Sequence, residues 1–342
     1  MNTLRKAVTA LLTIATFGVL TTGCATNAVT GRSQLMLVSE EMAVSKSTLA
    51  YSKMIDRYAK AGKLSEDQIL IDRVKEITDR LVSEAVKYRP DSEKWNWHVN
   101  VIDDSQTVNA FCMAGGKMGI FTGLIEQLEA TDDEIAQVMG HEIGHALSNH
   151  TSEKMSMQLA GQLVVVGAIA AADQRNRKVT KELSSLAALS LITLPNSREA
   201  ENEADRIGIE LAARAGYSPK AAISLFEKMQ KLARTKSKFD FFSTHPASEK
   251  RVEHMVVLQD QMTKIYSSGK PADGIKAVSW TKTAQNSTKP AGTTDTSVVS
   301  NAFNPDTARV PERLRELHQL YIDKVITETD FVSKKSELIN SY

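Results

Sequence analysis

The sequence predicts an α+β fold, mainly helical, with a small antiparallel sheet. Amphipathic stretches of helical period recur along the chain, "WNWHVNVI" alternates with a period of two, and a glycine pair splits "NAFCMAGGKMGIFTGLI" into two short extended halves. Apolar residues fill 42% and charged residues 24% of the 342 positions, enough for one main domain with appendages. A formal charge of +1 gives no single-sign field, and no nucleic-acid motif stands out, so nucleic acid is not an expected partner.

Taken in order, Arg5 and Lys6 precede an apolar run from Ala7 to Leu20 and then small residues, the layout of a signal peptide and too short for a spanning helix. Cys24 follows Thr21, Thr22 and Gly23, a setting that resembles a bacterial lipobox with threonine where leucine is usual. Residues 1–23 are expected to be removed and Cys24 lipidated; the alternative is ordinary secretion with an incidental cysteine, and either way the mature chain leaves the cytoplasm. Ala25 replaces the aspartate that commonly retains lipoproteins in the inner membrane, which points to the periplasmic face of the outer membrane. Cys112 is the only other cysteine, so no disulfide is expected within the mature lipoprotein, and its strand-like surroundings suit a small buried apolar residue.

Ser39 is placed to cap a helix with Glu40 and Glu41 in its first turn, and Ser65 with Gln68 forms a capping-box pair ahead of "ILIDRVKEITDRLVSEAV". The strand follows, with Trp95, Trp97, Val99 and Val101 on one face and His98 on the other as a surface histidine, then a hairpin around Gly115 and Gly116. Thr131 and Glu134 in "TDDE" start the next helix, and "LAGQLVVVGAIAAA" (159–172) reads as a core helix or flap, with a membrane-dipping segment as the alternative. Asn196 with Glu199 opens a helix ending at Gly216, and Ser218 with Pro219 opens another. The expected organisation is a leader (1–23), a lead-in with a helix (24–65), a main domain (66–267), a linker rich in Ser, Thr, Gly, Pro and Asn (268–308) and a helical tail (309–342).

The chemistry concentrates in "HEIGHALSNH", which holds three of the seven histidines. His141 and His145 are four apart on a helix, so their imidazoles share one face and can share a tetrahedral ion, while Glu142 is angled to reach a water on that ion without being a ligand. A catalytic zinc takes three protein ligands and an open position. Downstream, "SREAENEAD" offers Glu201 as the third ligand and Asp205, one turn on, as acceptor for a ligand histidine's free N–H; Glu199 and Glu203 are rotated off that face and read as solvent-facing acids.

Together "HEIGH" and "SREAENEAD", a Ser-Arg-x-x-Glu-x-x-Ala-Asp pattern, resemble the gluzincin metallopeptidases that include the HtpX heat-shock protease and the CAAX prenyl proteases, and among them the periplasmic lipoprotein members. "VTGRSQLMLVSEEM" is similar to the lead-in of such lipoproteins. The resemblance implies one Zn2+ per chain held by His141, His145 and Glu201, Glu142 as general base and Asp205 behind the ligands. It also implies that His245 of "STHPASEKR", pushed out of helical conformation by Pro246, lies near the metal, as oxyanion stabiliser or as occupant of the open position in a resting state; a surface cap is the alternative. His150 and His254 lack partners at ligand spacing and read as structural. The tail, with "ITETDF", resembles the SHOCT helical-hairpin module, implying self-association.

The expected function is a zinc endopeptidase of the bacterial cell envelope acting on unfolded or misassembled polypeptides, which would add a strand to an edge near Asn109, Ala110 and Phe111. The rival from another class is a zinc-stabilised envelope chaperone or binding module with a plugged, latent site. Glu142 weighs against it, because a purely structural site needs no base.

Overall fold

In the computed structural model the described residues are 24–171, 196–235 and 240–268. The expected leader, most of the linker, the SHOCT-like tail and the end of the 159–172 stretch lie outside them.

The elements run in the order β1 (Cys24–Thr26), β2 (Ser33–Leu35), α1 (Glu40–Lys60), α2 (Gln68–Tyr88), a 3-10 turn (Pro90–Lys94), β3 (His98–Ile102), β4 (Ala110–Met113) and β5 (Lys117–Phe121). Then come α3 (Thr122–Gln127), α4 (Asp132–Leu147), α5 (His150–Ala171), α6 (Arg198–Arg214), α7 (Ala221–Ala233), α8 (Asp240–Thr244) and α9 (Glu249–Ser268). Helices dominate, as the α+β reading requires. β1 and β2 form an antiparallel hairpin that the sequence reading did not foresee.

The central sheet has the order β3-β5-β4, with β4 antiparallel and β3 parallel to β5. The glycine-pair hairpin is therefore present, and β3 joins its far side in a mixed sheet. Trp97, Val99 and Val101 are buried as the alternation implies, but Asn100 and Ile102 on the other face are buried too, so β3 is covered on both sides. His98 is half-buried, its ring edge-on to Tyr51. The outer edge of β3 is covered near Leu64, where Ser65 N–H donates to the Val101 carbonyl. The outer edge of β4 is turned toward α4.

Three of the expected caps move by one or two residues; the helix expected to open at Ser218 and Pro219 begins at Ala221, with Lys220 at its cap position and no side-chain cap bond. Helix α2 is capped by Asp67, whose carboxylate accepts from the amides of Ile69 and Leu70, and Ser65 is instead engaged in the loop; the aspartate lies directly ahead of the first helical residue and accepts two amides at once. Helix α6 is capped by Ser197, which accepts from Ala200 N–H and leaves the Asn196 side chain free for another role. The Ser39 cap and the Thr131–Glu134 capping box form as expected.

Helix α4 is the core of the molecule, and from Glu134 to Leu147 every residue is buried. Such a helix has no solvent face and must be enclosed by others. Met139, Ile143 and Leu147 are fully buried, each stabilising the fold by roughly 1.5–3 kcal/mol. Against α6 the approach is backbone to backbone: a Cβ on Gly208 would lie 2.5 Å from His141 N, and one on Gly140 would lie 2.8 Å from the Gly208 carbonyl oxygen. These glycines sacrifice helix propensity for proximity, at about 1 kcal/mol each. The result is that α6 side chains begin where α4 side chains end.

Candidate metal centre

His141 and His145 lie one turn apart on α4 with their Nε2 atoms 3.1 Å from each other. Glu201, in the first turn of α6, brings Oε1 to 3.4 Å from His145 Nε2 and Oε2 to 3.5 Å from His141 Nε2. His245, in the loop between α8 and α9, points Nδ1 into the same space, 3.2 Å from His141 Nε2 and 3.1 Å from Glu201 Oε1. All four side chains are buried and offer donor atoms that lie within 4.8 Å of one another. Around a tetrahedral ion with bonds near 2.0 Å, neighbouring donors stand about 3.3 Å apart. The observed separations bracket that value.

The hydrogen bonds behind the cluster fix which ring atoms face it. His141 Nδ1 is 2.9 Å from Asp205 Oδ1, the contact the sequence assigned to that aspartate. Arg251 locks Asp205 through two bonds, Nε to Oδ2 at 2.8 Å and Nη2 to Oδ1 at 2.7 Å, and its Nη1 pairs with Glu201 Oε2 at 2.7 Å. With Nδ1–H given to Asp205, His141 presents a bare lone pair at Nε2 to the Nε2 of His145. Buried lone pairs aimed at one point are mutually repulsive unless a cation sits between them, so these residues fit a zinc ion.

Electrostatics agree with ligand duty. Burial opposes ionisation of Glu201, but the imidazoles of His145, His245 and His141 around it hold its carboxyl far below the ordinary range. Burial likewise opposes the charge on Asp205, yet Arg251 and His141 keep it ionised. For Glu142 burial prevails and pushes the carboxyl above its usual value against the pull of His245 and His141. Its Oε1 is buried without a hydrogen bond, with His245 Nε2 at 3.3 Å, and its Oε2 accepts from Cys112 N–H at 3.3 Å.

A cleft of about 290 Å³ opens beside this cluster, lined among others by Ala110, Phe111, Glu142, His145, Lys154 and His245, with Asn109 also on its wall. In the β4–β5 ladder the Phe121 amide donates to the Asn109 carbonyl, and Phe111 lies opposite Gly119. By alternation Asn109, Phe111 and Met113 turn their backbone to β5, whereas Ala110 and Cys112 turn theirs to the cleft. Of the three candidate binding residues, Ala110 thus offers main chain, and the Asn109 side chain accepts from its amide at 3.0 Å. Cys112 is buried as foreseen, and burial raises its thiol pKa well above the ordinary value.

Several residues here escaped the sequence reading. Arg251, the last residue of "STHPASEKR", carries no motif signal of its own, and Asn196 donates to Glu201 Oε1 at 2.9 Å instead of capping α6. Glu203 is not solvent-facing: it is half-buried, 2.8 Å from His150 Nε2 and paired with Arg32. His150 has no partner at ligand spacing in the sequence and reads there as structural. The chain, however, leaves α4 at Leu147, and Asn149 adopts φ 54° before α5 begins, which brings His150 back against His145.

A mainly helical domain in which two histidines of one helix and a glutamate of a second converge on one buried point has the arrangement of the zincin-type metallopeptidases. The family model of peptidase family M48 matches residues 70–258, and the chain belongs to this family of zinc metallopeptidases. The mitochondrial metalloendopeptidase OMA1 of Arabidopsis thaliana is 36% identical over 189 residues, covering 54% of this chain and 36% of the relative. Its namesake in Saccharomyces cerevisiae is 30% identical over 255 residues, 70% of each chain. The metalloprotease LoiP of Escherichia coli is 33% identical over 172 residues, 50% of this chain and 62% of LoiP. The match therefore spans about a third of the plant relative's length and just over two thirds of the yeast relative's.

Proposed function

We propose that the chain is a zinc-dependent endopeptidase of the bacterial cell envelope that cleaves unfolded or misassembled envelope proteins. The observation that carries this reading is the convergence of His141, His145 and Glu201 on one point, with the unbonded Oε1 of Glu142 beside it and the edge of β4 along the same cleft.

His141, His145 and Glu201 would hold the zinc ion, which would supply Lewis acidity for polarising a carbonyl and for easing loss of a proton from water near neutral pH. Glu142 takes that proton, and the upward push of burial brings its basicity closer to the working pH. Asp205 and Arg251 keep His141 in one orientation and one tautomer. An extended substrate adds a strand to β4, its carbonyl accepting from Cys112 N–H, which releases Glu142 Oε2 from that amide. Main-chain pairing of this kind accepts varied side chains and selects exposed extended backbone, which unfolded proteins have and native ones lack.

His245 stands at the fourth corner, where a substrate carbonyl must go, and this favours the resting-state role over the oxyanion role for the geometry seen here. It is also the observation that supports the second reading, a plugged site with little turnover. Digestion of unfolded casein separates the two: wild type should cleave and Glu142→Gln should not. Equal cleavage by both would remove the peptidase reading, and no cleavage by either would favour the binding module.

The envelope location rests on the leader-like residues before Cys24 and on that cysteine, which is exposed. Within the family we place the chain with the lipoprotein members, in keeping with the fact that no helix among the described residues is long and apolar enough to cross a membrane. Self-association through residues 309–342 is part of the same proposal. Sucrose-gradient fractionation should find the mature protein with outer-membrane markers, and its confinement to the inner membrane would overturn that placement.

A further inference from the structure

The two ligand histidines are backed differently. Behind His141 stands a carboxylate clamped by an arginine, Asp205 with Arg251. Behind His145 the partner among the described residues is not a carboxylate; its Nδ1 faces the Nδ1 of another imidazole, His150, at 2.8 Å. Two ring nitrogens at that distance share a single proton. Because His145 turns its Nε2 to the cluster and needs the lone pair there, the proton belongs on His145 Nδ1 and His150 accepts it. A neutral His150 then carries its own proton on Nε2, and Nε2 lies 2.8 Å from Glu203 Oε2.

The chain continues outward. Arg32 Nε donates to Glu203 Oε1 at 2.8 Å and its Nη2 to Oε2 at 3.2 Å, while its two amino groups grip Glu153 at 2.6 Å each. Gln34 Nε2 adds a bond to Glu153 Oε2 at 2.9 Å. The hairpin carrying Arg32 is pinned where α4 ends, since the Asn27 and Gln34 side-chain amides both donate to the Ser148 carbonyl. His145 thus also reaches a carboxylate clamped by an arginine, with one imidazole inserted between and the arginine supplied by the N-terminal hairpin.

We propose that His150, Glu203 and Arg32 are positioning residues for His145: they fix its tautomer and ring orientation and so couple the N-terminal hairpin to the metal affinity of the site. The inference rests on His145 being a metal ligand. A ligand histidine whose outer N–H loses its acceptor pays in affinity by about ten- to a hundredfold.

The test is a competition titration of the metal-stripped full chain with Zn2+ against a chromophoric chelator, with the melting temperature of each apo variant measured alongside. His150→Ala should weaken binding about ten- to a hundredfold, and His150→Asn, whose Oδ1 takes the place of Nδ1, should recover most of it. Glu203→Gln and Arg32→Met should weaken binding by successively smaller factors with the apo fold retained. If His150→Ala fails to fold, the last two decide. Zinc affinity within about twofold of wild type in Glu203→Gln and Arg32→Met, with binding abolished in His145→Ala, overturns the coupling and leaves the metal centre standing. Wild-type affinity in His145→Ala overturns the metal centre itself.

Discussion

At the level of single residues, Glu142 and His245 carry opposite expectations, the first as base and the second as occupant of the position a substrate needs. Glu142→Gln keeps size and burial but removes the base, so casein cleavage should fall by about a hundredfold or more while zinc content is unchanged. The sign of the pH dependence follows from the raised carboxyl: the base works only when ionised, so kcat/KM falls as pH drops through a value above the ordinary glutamate range, and a limb at or below that range would contradict it. His245→Ala should free the fourth corner and raise cleavage of a small unfolded substrate; a loss of activity instead would assign His245 to the oxyanion. The side chains that converge in the candidate site from α4 and the first turn of α6 can be read from "HEIGH" and "SREAENEAD", because one helical turn fixes which side chains share a face. Arg251 and the His150–Glu203 pair cannot, because their contacts cross between elements 46 and 53 residues apart.

Among the elements, the separation of α4 from α6 sets the geometry of the site. A Gly208→Ala substitution places a methyl against His141 N, and the helices must part. Overpacking of this sort costs about 1–3 kcal/mol, so the melting temperature and the zinc affinity should fall together, and a variant with unchanged affinity would show that helix spacing does not set the site. The start of α4 is a second lever. Glu134 closes the capping box and pairs with Lys228 at 2.7 Å; burial opposes its ionisation, but Lys228 and the Thr131 amide hold its carboxyl below the ordinary value. Its stabilisation is therefore complete above the unfolded carboxyl pKa and is lost as pH falls through the folded value. Glu134→Gln should cost about 1–2 kcal/mol near neutral pH, a deficit that shrinks on acidification in chemical denaturation. The box was legible from "TDDE", since both partners lie within four residues. The cap of α2 moved because Ser65 and Asp67 compete locally and the aspartate sits nearer the first turn.

For the molecule as a whole, helix and hairpin content could be read from periodicity, but the partner of β3 could not. Sequence order favours pairing of neighbours, whereas β5 returns between β3 and β4 and makes one parallel ladder. That topology covers the edge of β3 and leaves the edge of β4 along the cleft, so fold and cleft have one origin. The closeness of α4 and α6 is equally a property of the whole, invisible in either motif alone. Because the site joins α4, α6 and the loop before α9, bound zinc ties distant parts of the chain together. Its removal by a chelator should lower the melting temperature and abolish cleavage, and re-addition should restore both. The most direct measurement is the zinc content of the purified full chain and of Glu201→Ala by native mass spectrometry. One zinc per wild-type chain and none retained by Glu201→Ala is the expected result; stoichiometric zinc in both would contradict a centre shared between the two helices.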